Sequence, residues 1–128
     1  MLMKIECEIS LGELVDKLSI LYIKEKNLTE VSKLTHVKKE IHVLENKLNS
    51  LNLSGIESYL NRLVTINSTL WKIEDDIRDK ERAKEFDNKF IELARNVYIT
   101  NDQRFECKNE INTKYSSAIV EVKSYQQY

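Results

Sequence analysis

The stretch Leu34-Thr35-His36-Val37-Lys38-Lys39-Glu40-Ile41-His42-Val43-Leu44-Glu45-Asn46-Lys47-Leu48-Asn49-Ser50-Leu51 decides the fold class. Its apolar residues Leu34, Val37, Ile41, Leu44, Leu48 and Leu51 recur at spacings of 3, 4, 3, 4 and 3. That rhythm keeps all six on one side of a helix of 3.6 residues per turn, whereas a strand would need strict alternation. The stretch reads as a helix that buries one seam against a neighbour.

Working outward, Ser10-Leu11-Gly12-Glu13 has the spacing of a capping box, in which a Ser hydroxyl and a Glu carboxylate satisfy the first free N–H groups of a helix. The stripe Leu11, Leu14, Val15, Leu18, Leu21 and Tyr22 then predicts a helix to about Asn27. Ser54-Gly55-Ile56-Glu57 repeats the box and opens a third helix, with Ile56, Leu60, Leu63, Asn67, Leu70, Glu74 and Ile77 on its seam and Val64, Trp71 and Arg78 beside it. A charged turn near Glu81 to Glu85 ends it. A fourth helix is predicted from Asp87 to about Tyr115, with Phe90, Ala94, Val97, Asn101, Arg104, Lys108, Ile111 and Tyr115 in line. Thr100-Asn101-Asp102-Gln103 offers a fresh cap and so a point of breakage.

The two ends alternate. Ile5, Cys7 and Ile9 oppose Lys4, Glu6 and Glu8, and Val120, Val122 and Ser124 oppose Glu121, Lys123 and Tyr125. These segments predict a small two-stranded β-ribbon formed by the termini. The expected architecture is an all-α antiparallel bundle of about four long helices carrying that ribbon, with residues 1–128 forming one domain. Helices of this length leave long apolar edges, which favours a homodimer. The terminal aromatics Tyr125 and Tyr128 point to docking against the bundle or a second copy.

Composition narrows the chemistry. Among 128 residues there is no Pro and there are two Gly, too few for a turn-rich β fold or a Gly-rich phosphate loop. Lys and Arg number 20 against 21 Asp and Glu, and the Lys residues are scattered among acids, which argues against nucleic acid as partner. The longest apolar run, Ile20 to Ile23, is far short of a membrane span. The first nine residues lack a leader's apolar core, and Cys7 and Cys107 form no CxxC pair, so a cytoplasmic protein with reduced thiols is expected. His36 and His42 do not share a helical face, and no metal or cofactor is expected.

The polar residues on the seams of helices three and four carry the functional question. If the two helices form a hairpin turning near Lys84, Asn67 falls opposite Asn101 and Glu74 falls beside Arg95. Such pairs can fix register, as buried Asn does in coiled coils. The sharper reading is an interhelical pocket with Arg78, Arg95, Arg104 and Lys108 as donors and Glu74, Asp75 and Asp102 as acceptors. The acidic run around Asp75 and Asp79 also invites a metal, although Glu74–Arg78 and Asp76–Lys80 read as ordinary ion pairs of a solvated face.

The stretches Leu70-Trp71-Lys72-Ile73-Glu74-Asp75-Asp76-Ile77-Arg78-Asp79-Lys80-Glu81, Phe90-Ile91-Glu92-Leu93-Ala94-Arg95-Asn96-Val97-Tyr98, Asn101-Asp102-Gln103-Arg104, Lys108-Asn109-Glu110-Ile111-Asn112 and Glu121-Val122-Lys123-Ser124-Tyr125 resemble an uncharacterised family of short bacterial and phage proteins, a domain of unknown function. The opening segment Ile9 to Leu18 resembles that family's start. The resemblance implies proximity to glycosyltransferase-like proteins of surface-polysaccharide assembly and implies no mechanism. Its motif residues overlap the seam positions, which yields the candidate binding set Asn67, Trp71, Glu74, Asp75, Arg78, Arg95, Tyr98, Asn101, Asp102, Arg104 and Lys108. No catalytic residue is assigned.

Two functions are expected on this basis. The first is a non-enzymatic accessory or binding module of a glycosyltransferase system, with a glycosyltransferase-type protein as partner. The second is a small helical enzyme that holds an anionic metabolite or nucleotide sugar in an Arg/Lys/Glu-lined pocket by electrostatics alone.

Overall fold

The computed structural model describes residues 2–128. It is an all-α bundle of four helices, α1 (Leu11–Asn27), α2 (Val31–Ser50), α3 (Ile56–Ala83) and α4 (Asn88–Lys114). The shortest helix, α1, is the hub. The other three all pack on it, α3 and α4 also pack on each other, and α2 rests on α1 alone. A helix touched from three sides has little solvated face left, so α1 buries Gly12, Asp16 and Ser19 along with Leu14, Val15, Leu18, Leu21 and Ile23.

The core lies where α1, α3 and α4 meet, around the fully buried Val15, Leu18, Leu63, Cys107 and Ile111. Each large aliphatic side chain there contributes roughly 1.5–3 kcal/mol. The heptad seam of α2 closes the other side of α1 through Val37, Ile41 and Leu48.

The first turn of α1 is tied to the end of α4. Four N–H groups at a helix start have no partner within the helix. Here the Glu13 N–H donates to Ser10 Oγ at 3.1 Å, and the regular i→i−4 ladder begins with the Leu14 N–H on the Ser10 carbonyl at 3.2 Å. The Leu11 N–H donates to Ser117 Oγ at 3.1 Å and the Gly12 N–H to Asn112 Oδ1 at 2.7 Å, partners more than ninety-nine positions away. Half of the expected capping box therefore forms. The Glu13 carboxylate does not return to Ser10; it receives Lys108 Nζ at 2.9 Å. The second expected box does not form. Gly55, at φ +82°, caps α3 without a side chain, while the Ser54 carbonyl accepts the Tyr115 hydroxyl at 2.6 Å.

The fourth helix runs unbroken through Thr100, which is buried instead of acting as a cap. In the turn before it, Lys84 at φ +55° ends α3, and Asp87 caps α4 by accepting the Phe90 N–H at 3.0 Å. Arg62 and Glu110, each 24 residues from Phe86, pair across this antiparallel hairpin. Its centre thus lies two residues beyond Lys84, and every cross-hairpin partner moves by four, about one helical turn. Neither expected pair forms: Asn67 bonds to α1, and Glu74 bonds to Arg78 at 2.9 Å.

The terminal β-ribbon is also corrected, since the described residues contain no strand. The tail is drawn along α4 instead. Glu121 pairs with Lys108 at 2.9 Å, Lys123 Nζ sits 5.4 Å from the Phe105 ring centroid, and the Tyr128 hydroxyl donates to Asp102 at 2.6 Å beside Tyr98. These anchors run antiparallel to α4 and leave Lys4–Ile9 exposed with no strand partner. No helix among the described residues is long and apolar enough to cross a membrane.

Candidate functional site

The chemistry of the site begins at Asp16, a carboxylate with no exposed surface at the centre of α1. Its Oδ1 accepts from Arg104 Nε and from Asn67 Nδ2, both at 2.9 Å, and its Oδ2 accepts from Arg104 Nη2 at 2.5 Å. The fork of the guanidinium matches the carboxylate edge, the strongest ion-pair geometry available to side chains. Asn67 Nδ2 also donates to Ser19 Oγ at 2.8 Å, and that hydroxyl donates to the Asp16 carbonyl at 2.6 Å. A carboxylate must face the nitrogen of an amide, so the orientation of Asn67 is fixed by its partner. One turn away, Lys108 joins Glu13 and Glu121, with Asp16 Oδ2 at 3.9 Å.

This arrangement clips α1 to both members of the hairpin. It also leaves two atoms over. With both amide hydrogens used, Asn67 presents Oδ1 without a hydrogen bond among the described residues, although the residue is only 5% exposed. Arg104, with Nε and Nη2 on Asp16, presents Nη1. Both residues line a cleft of ≈ 310 Å³ whose apolar wall is Ile20, Ile23, Leu70 and Trp71 and whose outer polar edge is Glu74, Asp75 and Arg78. Mostly apolar walls with a few placed polar groups are the usual make-up of a small-ligand site.

Six of the eleven candidate residues therefore converge here: Asn67, Trp71, Glu74, Asp75, Arg78 and Arg104. The cleft lies between α1, α3 and α4, not between α3 and α4 alone. Lys108 sits in the adjoining ion cluster. Tyr98, Asn101 and Asp102 are elsewhere, lining a second groove of ≈ 1020 Å³ between α4 and the tail. Arg95 is exposed and lines neither. The acidic run holds no metal-binding cluster among the described residues; Lys72 pairs with Asp76 there, and Lys80 with Glu85 and Asp87.

Compared with family models, curated proteins and solved structures, the chain matches none. The site therefore has to be read from its own chemistry. Asp16, Glu13, Ser19, Asn112 and Glu121 escaped the sequence reading. A signal existed for two of them: Gly12, Asp16, Ser19 and Ile23 stand 4, 3 and 4 apart, a second stripe on a helix whose first stripe is already apolar.

Three buried or half-buried groups hold their protons more tightly in the folded protein. Burial pushes the Tyr22 hydroxyl up, assisted by Glu45, which accepts its hydrogen at 2.6 Å. Burial also raises the Cys107 thiol. For Lys108 burial acts the other way, but the Glu13 and Glu121 carboxylates outweigh it and the ammonium is raised. Their ordinary values are 10.0, 9.0 and 10.5. The folded state then binds more protons than the unfolded chain in alkali, so stability is fully present below these values and is lost as pH rises through the shifted ones. The melting temperature is expected to fall from about pH 9 upward, and a level profile through the alkaline range would contradict these assignments.

Proposed function

We propose that the protein is a non-enzymatic binding module that holds a small ligand in the α1–α3–α4 cleft. The observation that carries this reading is Asn67, a buried side chain that faces the cleft with an acceptor its own fold leaves unused. Solvent reaches that acceptor, and a ligand donor entering the cleft takes the place of water there. Nothing around it is activated for covalent chemistry. Both histidines stand exposed on α2, and burial raises the Cys107 thiol instead of making it a thiolate.

Anion-binding catalysis, the alternative reading, has less support. Arg104 and Lys108 are committed to Asp16, Glu13 and Glu121, a cluster with three carboxylates to two cations. The remaining cation of the cleft, Arg78, is held by Glu74.

The family resemblance supports an accessory role beside a glycosyltransferase-type protein. The apolar side chains of Leu2, Met3, Ile5 and Val122, each more than 80% exposed, support association through the terminal segments, as a homodimer or with that partner.

A thermal-shift panel of neutral and charged metabolites, followed by chemical recovery of each hit, tests the reading. A ligand at 100 times its Kd adds about 2.7 kcal/mol, roughly 10 °C for a domain of this size. A hit recovered unchanged supports a binding module. A hit converted to product makes the protein an enzyme, and a panel without hits removes the cleft from consideration.

A further inference from the structure

We infer that the cleft takes a neutral, polyhydroxylated ligand of about monosaccharide size, an inference that rests on the binding-module reading. Charge comes first. Arg104 is neutralised by Asp16 and Arg78 by Glu74, so the cleft offers no uncommitted cation to an anion, and the exposed Asp75 adds a negative charge at its mouth. A phosphate or carboxylate ligand would meet the Glu74 and Asp75 carboxylates, and Arg104 could turn to it only by leaving the buried Asp16.

Hydrogen-bonding capacity comes second. The two least exposed polar residues of the lining, Asn67 and Arg104, keep an acceptor (Oδ1) and a donor (Nη1) that no hydrogen bond among the described residues uses. At its mouth the cleft presents carboxylate acceptors on Glu74 and Asp75 and guanidinium donors on Arg78. A hydroxyl both donates and accepts, so vicinal hydroxyls satisfy both mixed sets. A nucleobase is a rigid plane without hydroxyls, each of whose polar positions is fixed as donor or acceptor, and lacks that two-way adaptability. The same cleft is lined by Trp71, whose indole offers apolar area to the C–H face of a ring. A ligand with polar groups around its perimeter and apolar faces fits all three features. The volume of ≈ 310 Å³ is ample for one such ring.

Trp71 is the sole tryptophan of the chain, so its emission reports on this cleft alone. The 128-residue protein would be titrated with D-glucose and myo-inositol, with adenine and uracil as neutral heteroaromatic probes without hydroxyls, and with glucose 6-phosphate and inorganic phosphate as anions. Ligand-detected saturation-transfer NMR on the same samples covers binding that leaves the emission unchanged. Saturable binding of a polyol is expected, weakened about tenfold by Glu74→Gln or Asp75→Asn through loss of a charge-assisted hydrogen bond. Arg95→Gln, outside the cleft, is expected to leave it unchanged. Tighter binding of the nucleobase or anionic probes would overturn the polyol assignment while leaving the cleft as a ligand site. Absence of binding by every probe in both measurements would overturn the polyol assignment and the binding-module reading together.

Discussion

Replacing Asp16 by Ala is expected to remove about 3–5 kcal/mol of folding stability, the cost of leaving a buried partner charge uncompensated. Against a total of roughly 5–15 kcal/mol for a domain, that is a large share of the stability. The loss follows from what remains. Arg104 Nε and Nη2 would point at an empty site, and Asn67 Nδ2 would keep only Ser19. Asp16→Asn is no conservative change either, because one edge of the new side chain would turn N–H groups toward the guanidinium. A fall in urea midpoint with an unchanged denaturant slope would report the effect as lost stability.

The same geometry makes a second forecast with the opposite sign. Buried ion clusters seldom beat well-packed apolar residues of similar volume, so Asp16→Leu combined with Asn67→Leu and Arg104→Met should recover most of the loss. The triple variant removes the free acceptor and the guanidinium of the cleft while keeping the core closed. A folded triple variant that no longer binds any cleft ligand would separate the structural use of these residues from their use in recognition. If Asp16→Ala costs less than 1 kcal/mol, the cluster does not hold the bundle in register.

Why the site was half visible in the sequence follows from where its residues lie. Asn67 and Arg104 interrupt apolar seams at helical spacing, and an interruption is detectable by counting. Trp71, Glu74 and Arg78 follow on the same face by the same count. Asp16 interrupts nothing. It lies off the Leu11–Leu14–Leu18–Leu21 stripe, on what reads as the solvent side of an amphipathic helix, and becomes buried only because α3 and α4 cover that side. Burial on all sides is a property of the assembly: the spacing of Gly12, Asp16, Ser19 and Ile23 marks a second stripe but does not say that other helices cover it. The partner assignments failed for a related reason. Position along a hairpin depends on the exact centre of its turn, and the two-residue offset from Lys84 to Phe86 moved Asn67 away from Asn101. The terminal ribbon failed because alternation tells a segment which side is apolar but not what it lies against. Lys108, Phe105 and Asp102 hold the tail through side chains, and no strand pairing forms among the described residues.

The second large effect is expected at Gly12. Inside a helix Gly→Ala ordinarily stabilises by about 0.5–1 kcal/mol, because Ala restricts the unfolded chain. At this position the sign should reverse. A Cβ on Gly12 would stand 2.6 Å from the Lys108 carbonyl oxygen and 3.1 Å from Asn112 Oδ1. The first of these atoms is backbone in the middle of a helix and has no rotamer to escape into, so α1 and α4 would have to move apart. Separation strains the 2.7 Å bond from the Gly12 N–H to Asn112, whose own Nδ2 is already buried without a partner. Overpacking costs about 1–3 kcal/mol and a lost buried hydrogen bond about 1–3, so Gly12→Ala should destabilise by about 3 kcal/mol net. Gly55→Ala is the useful contrast. Its φ of +82° adds left-handed strain, but its nearest neighbours are the ends of the Lys114 and Tyr115 side chains at 3.6 Å, and about 1–2 kcal/mol is expected there. Adding Asn112→Ala to Gly12→Ala relieves the side-chain contact and leaves the carbonyl in place. The double variant should therefore remain as unstable as the single one, and recovery would mean that the amide of Asn112, not the backbone of α4, sets the distance between the two helices.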